Sequence, residues 1–182
     1  DRAIRHARRQ FEAGADILDI GAESSRPGAI PTPEHEELQR LIPVLREISA
    51  WGIPVSVDTY KPGVMHAALE AGATMINDIT GMTDPDALAV VAGSDCAVCL
   101  MHMQGEPGTM QQAPVYEDVV GEVRGFLRAA VEQCQQFGLA EDRLVVDPGF
   151  GFGKTQDHNL ALFRALDEGL VGDFPILVGV SR

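Results

Sequence analysis

Short apolar runs alternate with longer amphipathic segments along the chain, and nearly every run ends in a polar side chain. The runs are Asp16 to Ile20, Pro54 to Val57, Thr74 to Ile76, Ala97 to Met101, Arg143 to Val146 and Pro175 to Val180. Between them lie helical patterns over Glu34 to Ala50, Pro62 to Ala71, Asp84 to Ala92, Tyr116 to Phe137 and His158 to Glu168. Strands that are apolar on both faces imply a parallel sheet covered by helices. Repeated βα units with right-handed crossovers then lead to a doubly wound sheet or a (β/α)8 barrel. The polar strand ends are Asp19 with Glu23, Asp58, Asn77, His102, Asp147 and Ser181. A barrel brings all such ends to one mouth, so the α/β class expected is a TIM barrel.

A full barrel takes eight strands over roughly 250 residues. The chain has 182 residues, no initiating methionine, and an amphipathic helix (Ile4, Ala7, Phe11) at its start. The expectation is one domain over 1–182, holding about six of eight βα units, with the first strand and the C-terminal part missing. The second helix is expected to start with Thr32 as cap and Pro33 in its first turn.

The net charge of −13 argues against nucleic acid as a partner, because phosphate backbones call for a basic surface. An anionic small molecule remains compatible if cations are placed locally, and Arg26, Lys61 and Lys154 each follow a predicted strand. No apolar run approaches the roughly 20 residues of a membrane span, and no secretory leader is present, so a cytoplasmic location is expected. Three cysteines do not suggest a disulfide framework. Cys96 and Cys99 form a CxxC, but residues three apart on a strand point to opposite faces, so they read as small buried residues rather than metal ligands.

The segment Asp147-Pro148-Gly149-Phe150-Gly151-Phe152-Gly153-Lys154 breaks a strand with a proline and then offers three glycines, two aromatic rings and an ammonium. Its end resembles a nucleotide-binding loop, but the leading glycine of G-x-x-x-x-G-K-[ST] falls at Pro148, so an ATPase is rejected. Asp58, Asn77 and Asp147 together suit a flat heterocycle edge rich in N–H donors; helix capping is the ordinary alternative, and metal ligation by the trio ranks second. In Glu23-Ser24-Ser25-Arg26-Pro27-Gly28, arginine and hydroxyls can hold a phosphate oxygen; a solvated loop with Glu23 paired to Arg26 is the competing reading. His102 reads as a hydrogen-bonded structural histidine before an acid–base catalyst. Met101 would be a soft apolar contact for a heterocycle.

In order, IGAESSRPGA, VSVDTYKP, MINDITG, CLMHMQGEPGTMQ, VVDPGFGFGK, HNLALFRAL and LVGVSR resemble the dihydropteroate synthase family. The resemblance implies a TIM barrel that condenses 6-hydroxymethyl-7,8-dihydropterin diphosphate with p-aminobenzoate in folate synthesis, and a target of sulfonamides. It implies pterin contacts at Asp58, Asn77, Met101 and Asp147, diphosphate contacts at Ser25 and Arg26, and a p-aminobenzoate site at Ser25, Pro27, Phe152 and Ser181. Asp58 and Arg26 would carry the chemistry. Ser25 stands where the family has threonine, keeping the hydroxyl and losing a methyl. The resemblance further implies magnesium, whose main ligand would precede Asp1, and a homodimer when complete, with no metal site in these residues. The related pterin-binding methyltransferases are the alternative enzyme class; the other alternative is a fragment that binds pterin without turnover.

Overall fold

In the computed structural model, residues 2–26 and 28–179 are described. Helix α1 (Arg2–Glu12) precedes β1 (Leu18–Gly21), and βα units follow: α2 (Glu34–Ser49), β2 (Val55–Asp58), α3 (Pro62–Glu70), β3 (Met75–Asp78), α4 (Pro85–Ala92), β4 (Ala97–Met101), α5 (Val119–Gln136), β5 (Leu144–Asp147) and α6 (Gln156–Ala165). The strands form one parallel sheet in the order β1-β2-β3-β4-β5. A doubly wound sheet reverses its order at a switch point; an order that never reverses is the winding of a barrel.

Alternation along the strands sorts the side chains. Val55, Val57, Ile76, Val98, Leu100 and Val146 are fully buried and belong to one core with Leu45 and Ile48 of α2, Val64 and Met65 of α3, Leu88 of α4, Leu127 of α5 and Leu162 of α6. The register places the residues between them on the opposite, concave face: Ser56 beside Asp19, Asp58 beside Asn77, Asn77 beside Cys99, and Met101 beside Asp147. Outward apolar packing thus leaves the other face free to be polar.

Three expectations need correction. Strand β3 continues to Asp78, past the expected end at Ile76, because pairing of Asn77 with Cys99 and Asp78 with Leu100 overrides the turn preference of Asn and Asp. The expected sixth strand from Pro175 is, up to Gly179, a single parallel bridge from Ile176 to Val146; Val146 N donates to the Pro175 carbonyl and Leu177 N to that of Val146, each at 2.9 Å. Thr32 does not cap α2. Pro33 occupies the cap position, and the Thr32 N–H donates instead to Glu23 Oε2 at 2.9 Å.

Leu100→Ala, at a fully buried β4 position, is expected to destabilise the fold by about 2–5 kcal/mol in urea unfolding. A loss below about 1 kcal/mol would contradict the placement of this core.

Candidate active site

Asp58 closes β2, and Asn77 lies in register beside it on β3. Asn77 Nδ2 donates to Asp19 Oδ2 at 3.3 Å, but its Oδ1 is buried with no hydrogen-bond partner, as is Ser56 Oγ two residues before Asp58. A buried acceptor without a donor is uncommon in a folded protein and points to a ligand N–H or a water at this spot. Burial, followed by the negative charges of Asp19, Asp78, Glu37 and Glu23, pushes the Asp58 carboxyl up to about 7.

Three strands from Asp58 and two from Asn77, Asp147 is buried and its Oδ1 accepts the Gly149 N–H at 2.7 Å. Burial raises this carboxyl to about 6; the Gly149 hydrogen bond and the Lys154 charge oppose the rise. Met101, 4 % exposed, is its register neighbour on β4 and offers apolar surface beside this carboxylate.

The glycine loop after Asp147 is wound around Lys154. The Lys154 side chain is 3 % exposed, and its ammonium reaches the carbonyls of Gly149 at 2.9 Å, Phe152 at 3.0 Å and His102 at 3.3 Å, with His102 Nδ1 at 2.9 Å. Burial lowers Lys154 to about 7, against the pull of Asp147. His102 is held near 4 by burial and by Lys154, and its ring meets Phe126 edge-on at 5.0 Å. A neutral, buried histidine serves as acceptor and packing surface here. Gly149 and Gly153 have φ of +68° and +62°, and a side chain on either would run into the backbone carbonyl of His102 or Gln104. Their lack of a side chain lets the loop lie flat on the one after β4.

The loop between β1 and α2 carries the other predicted group. Ser25 is half-buried and Arg26 exposed, with Arg26 N donating to Ser24 Oγ at 3.4 Å. The alternative Glu23–Arg26 pair does not form, because Glu23 turns to Lys61 and Tyr60. Lys61 and Lys154 are therefore not available cations, as their position after a strand had suggested: one is bound by carboxylates and the other by carbonyls. Phe152 is half-buried in the glycine loop, and its N–H donates to the Gly149 carbonyl at 3.1 Å. Pro27 and Ser181 lie outside the described residues.

Sequence reasoning did not assign Cys99, Ser56 or Glu37 to this region. Cys99 shares the concave face with Asn77, and burial followed by the charges of Asp147, Asp19, Asp78 and Asp58 pushes its thiol up. Its parity with Met101 could have revealed this; nothing local marks Glu37. Among the described residues, no three His, Cys, Asp or Glu side chains gather in a way that could hold a metal ion. Likewise no helix among them is long and apolar enough to cross a membrane.

A family profile described as "Pterin binding enzyme" matches residues 1–182. The chain belongs to the pterin-binding enzyme family. It is 46% identical over 181 residues to dihydropteroate synthase of Escherichia coli strain K12, an alignment covering 99% of this chain and 64% of that protein. The chain thus spans just under two thirds of this curated relative. Burkholderia cenocepacia dihydropteroate synthase complexed with 7,8-dihydropteroate superposes with a TM-score of 0.94 at 49% identity, covering 100% of this chain and 68% of that one. The Thermus thermophilus enzyme in complex with 4-aminobenzoate gives 0.91 at 47% identity, covering 100% and 69%. The five-stranded sheet is accordingly part of the TIM barrel of this family.

The raised Asp58 carboxyl makes a prediction about pH. A carboxyl whose folded value exceeds its unfolded value of 3.8 contributes stability below about 4 that is lost as pH rises toward 7. Asp147 acts in the same direction, whereas Lys154 changes only above about 7. Asp58→Asn should therefore stabilise the ligand-free protein by about 1–3 kcal/mol at about pH 8 and by little at about pH 4.5. Urea unfolding at the two pH values checks this; equal effects at both would refute the raised carboxyl.

Proposed function

We propose that the protein is a dihydropteroate synthase, joining 6-hydroxymethyl-7,8-dihydropterin diphosphate to p-aminobenzoate with release of diphosphate. The observation that carries this reading is the concave-face constellation of Asp58, Asn77 and Asp147, with the Asn77 Oδ1 buried and unpartnered. A pterin's pyrimidine edge presents N–H donors and ring acceptors, which two carboxylates and one amide match; Met101 lies against the ring face. The relatives' bound dihydropteroate and 4-aminobenzoate support the same assignment.

The pterin methylene–oxygen bond breaks first, and its electron pair leaves with diphosphate. The resulting cation is delocalised into the ring, where Asp58 and Asp147 supply compensating negative charge. Arg26 and the Ser25 hydroxyl meet the departing diphosphate. The arylamine nitrogen then forms the new C–N bond and loses its proton to solvent. Ser25 and Phe152, with Pro27 and Ser181, would line the p-aminobenzoate site. Magnesium would serve as a counter-ion to diphosphate; among the described residues no group of side chains could hold it.

A pterin-binding methyltransferase would use the same heterocycle contacts but has no diphosphate for Ser25 and Arg26 to hold. We propose also that the enzyme is a cytoplasmic homodimer; exposed Leu160 and Phe163 on α6 provide apolar surface compatible with association.

In the full-length protein, diphosphate and dihydropteroate should appear in equal amounts only when both substrates are present. Asp58→Asn should slow single-turnover diphosphate release about 100-fold, with pterin affinity falling less than about tenfold. Absence of p-aminobenzoate-dependent diphosphate release would refute the function. Equal losses of rate and affinity would refute the role given to Asp58.

A further inference from the structure

The loop joining β1 to α2 begins and ends at one partly buried ionic cluster. Glu23, at its start, accepts from the Tyr60 hydroxyl at 2.9 Å through Oε1 and from the Thr32 N–H at 2.9 Å through Oε2. Thr32 lies at the loop's end. Lys61, at the cap of α3, donates to the Thr32 carbonyl at 2.7 Å, to Glu23 Oε2 and to Glu37 Oε2 at 2.6 Å. Glu37, 1 % exposed on α2, also accepts from the Thr59 hydroxyl at 2.8 Å. The neck of the loop is thus closed at both the N–H and the C=O of Thr32, one by a carboxylate and one by an ammonium.

The charges do not balance: one ammonium serves two carboxylates, and both are largely out of water. Removing such groups from solvent is expensive, and apolar packing of equal volume would stabilise as well or better. Charge-assisted hydrogen bonds supply instead a directional hold that apolar contacts lack. That hold acts on the segment bearing Ser25 and Arg26, whose backbone follows directly on Glu23. Gly28 N, further along the loop, donates to the Pro107 carbonyl at 3.1 Å, so neck and tip are both tied.

We propose that Lys61 and Glu23, seated on Glu37, are positioning residues that close the neck of the 22–32 loop and so set where Ser25 and Arg26 meet the diphosphate and the arylamine. The proposal rests on the function assigned above. Burial alone would raise the Glu23 carboxyl and lower Lys61, but hydrogen bonding within the cluster outweighs it, keeping both ionised.

The test compares two ligands in the full-length protein: 6-hydroxymethyl-7,8-dihydropterin, which needs only the Asp58, Asn77 and Asp147 contacts, and its diphosphate ester. Lys61→Met should weaken the diphosphate ester and raise KM for p-aminobenzoate by about tenfold or more, with affinity for the bare pterin within about twofold of wild type. Glu23→Gln retains side-chain volume and should show the same selective loss, which keeps the test open if Lys61→Met does not fold. Hydrogen exchange should accelerate over residues 24–31 in both variants and not in β2 or β3. Equal weakening of both ligands, or an unchanged ratio of their affinities, would overturn the proposal. The wild type provides the separate check: if it binds the diphosphate ester no more tightly than bare pterin, the proposed function fails instead.

Discussion

Side-chain alternation in an in-register parallel ladder is the constraint on which the rest of this molecule depends. Because β1 to β5 pair in chain order, all side chains of one parity face the helices and all of the other parity face inward. Apart from Asp78, the helix-facing set is apolar and mostly buried, which satisfies the hydrophobic demand of the fold on one face alone. The inward set is then released for chemistry, and it holds Asp19, Ser56, Asp58, Asn77, Cys99, Met101 and Asp147. A one-residue slip of any strand would exchange the two sets.

Two lysines, Lys154 buried and Lys61 half-buried, organise the loops above that sheet by different means. Lys154 gathers three carbonyls and a neutral histidine, drawing the glycine loop after β5 onto the loop after β4. Lys61 gathers two carboxylates and a carbonyl, tying the loop after β1 to the start of α3. In each case an ammonium replaces the regular hydrogen-bond ladder that loops lack. Around Asp58, by contrast, burial first and then the negative charges of Asp19, Asp78, Glu37 and Glu23 raise the carboxyl toward neutrality. Such a site is built at the expense of stability, and a ligand rich in N–H donors or developing positive charge would relieve it.

Much of this is legible in the chain itself. Asp58, Asn77 and Asp147 stand out because each follows an apolar run, and polar residues there lie at the mouth of a barrel. Pro148 excludes a nucleotide loop through its place in the motif alone. The roles of Lys61 and Lys154 are not legible. A cation after a strand looks the same whether it faces solvent, three carbonyls or two carboxylates. Glu37 reads as an ordinary acidic residue in a first helical turn, and only packing of α2 against α3 buries it. Thr32 likewise has the side chain of a helix cap, yet it is its backbone that is used.

The βα alternation, the parallel sheet and the polar strand ends follow from the chain alone, because periodicity and turn chemistry act over a few residues. Which charges are spent inside the protein, and which remain for a ligand, follows only from its folding in three dimensions. The carboxylates on Lys61 lie 24 and 38 residues away; on Lys154 the Gly149 and Phe152 carbonyls are 5 and 2 residues away but His102 is 52, so the choice depends on how distant elements pack. Local pattern carries no information about that distance, and burial makes the choice energetically binding.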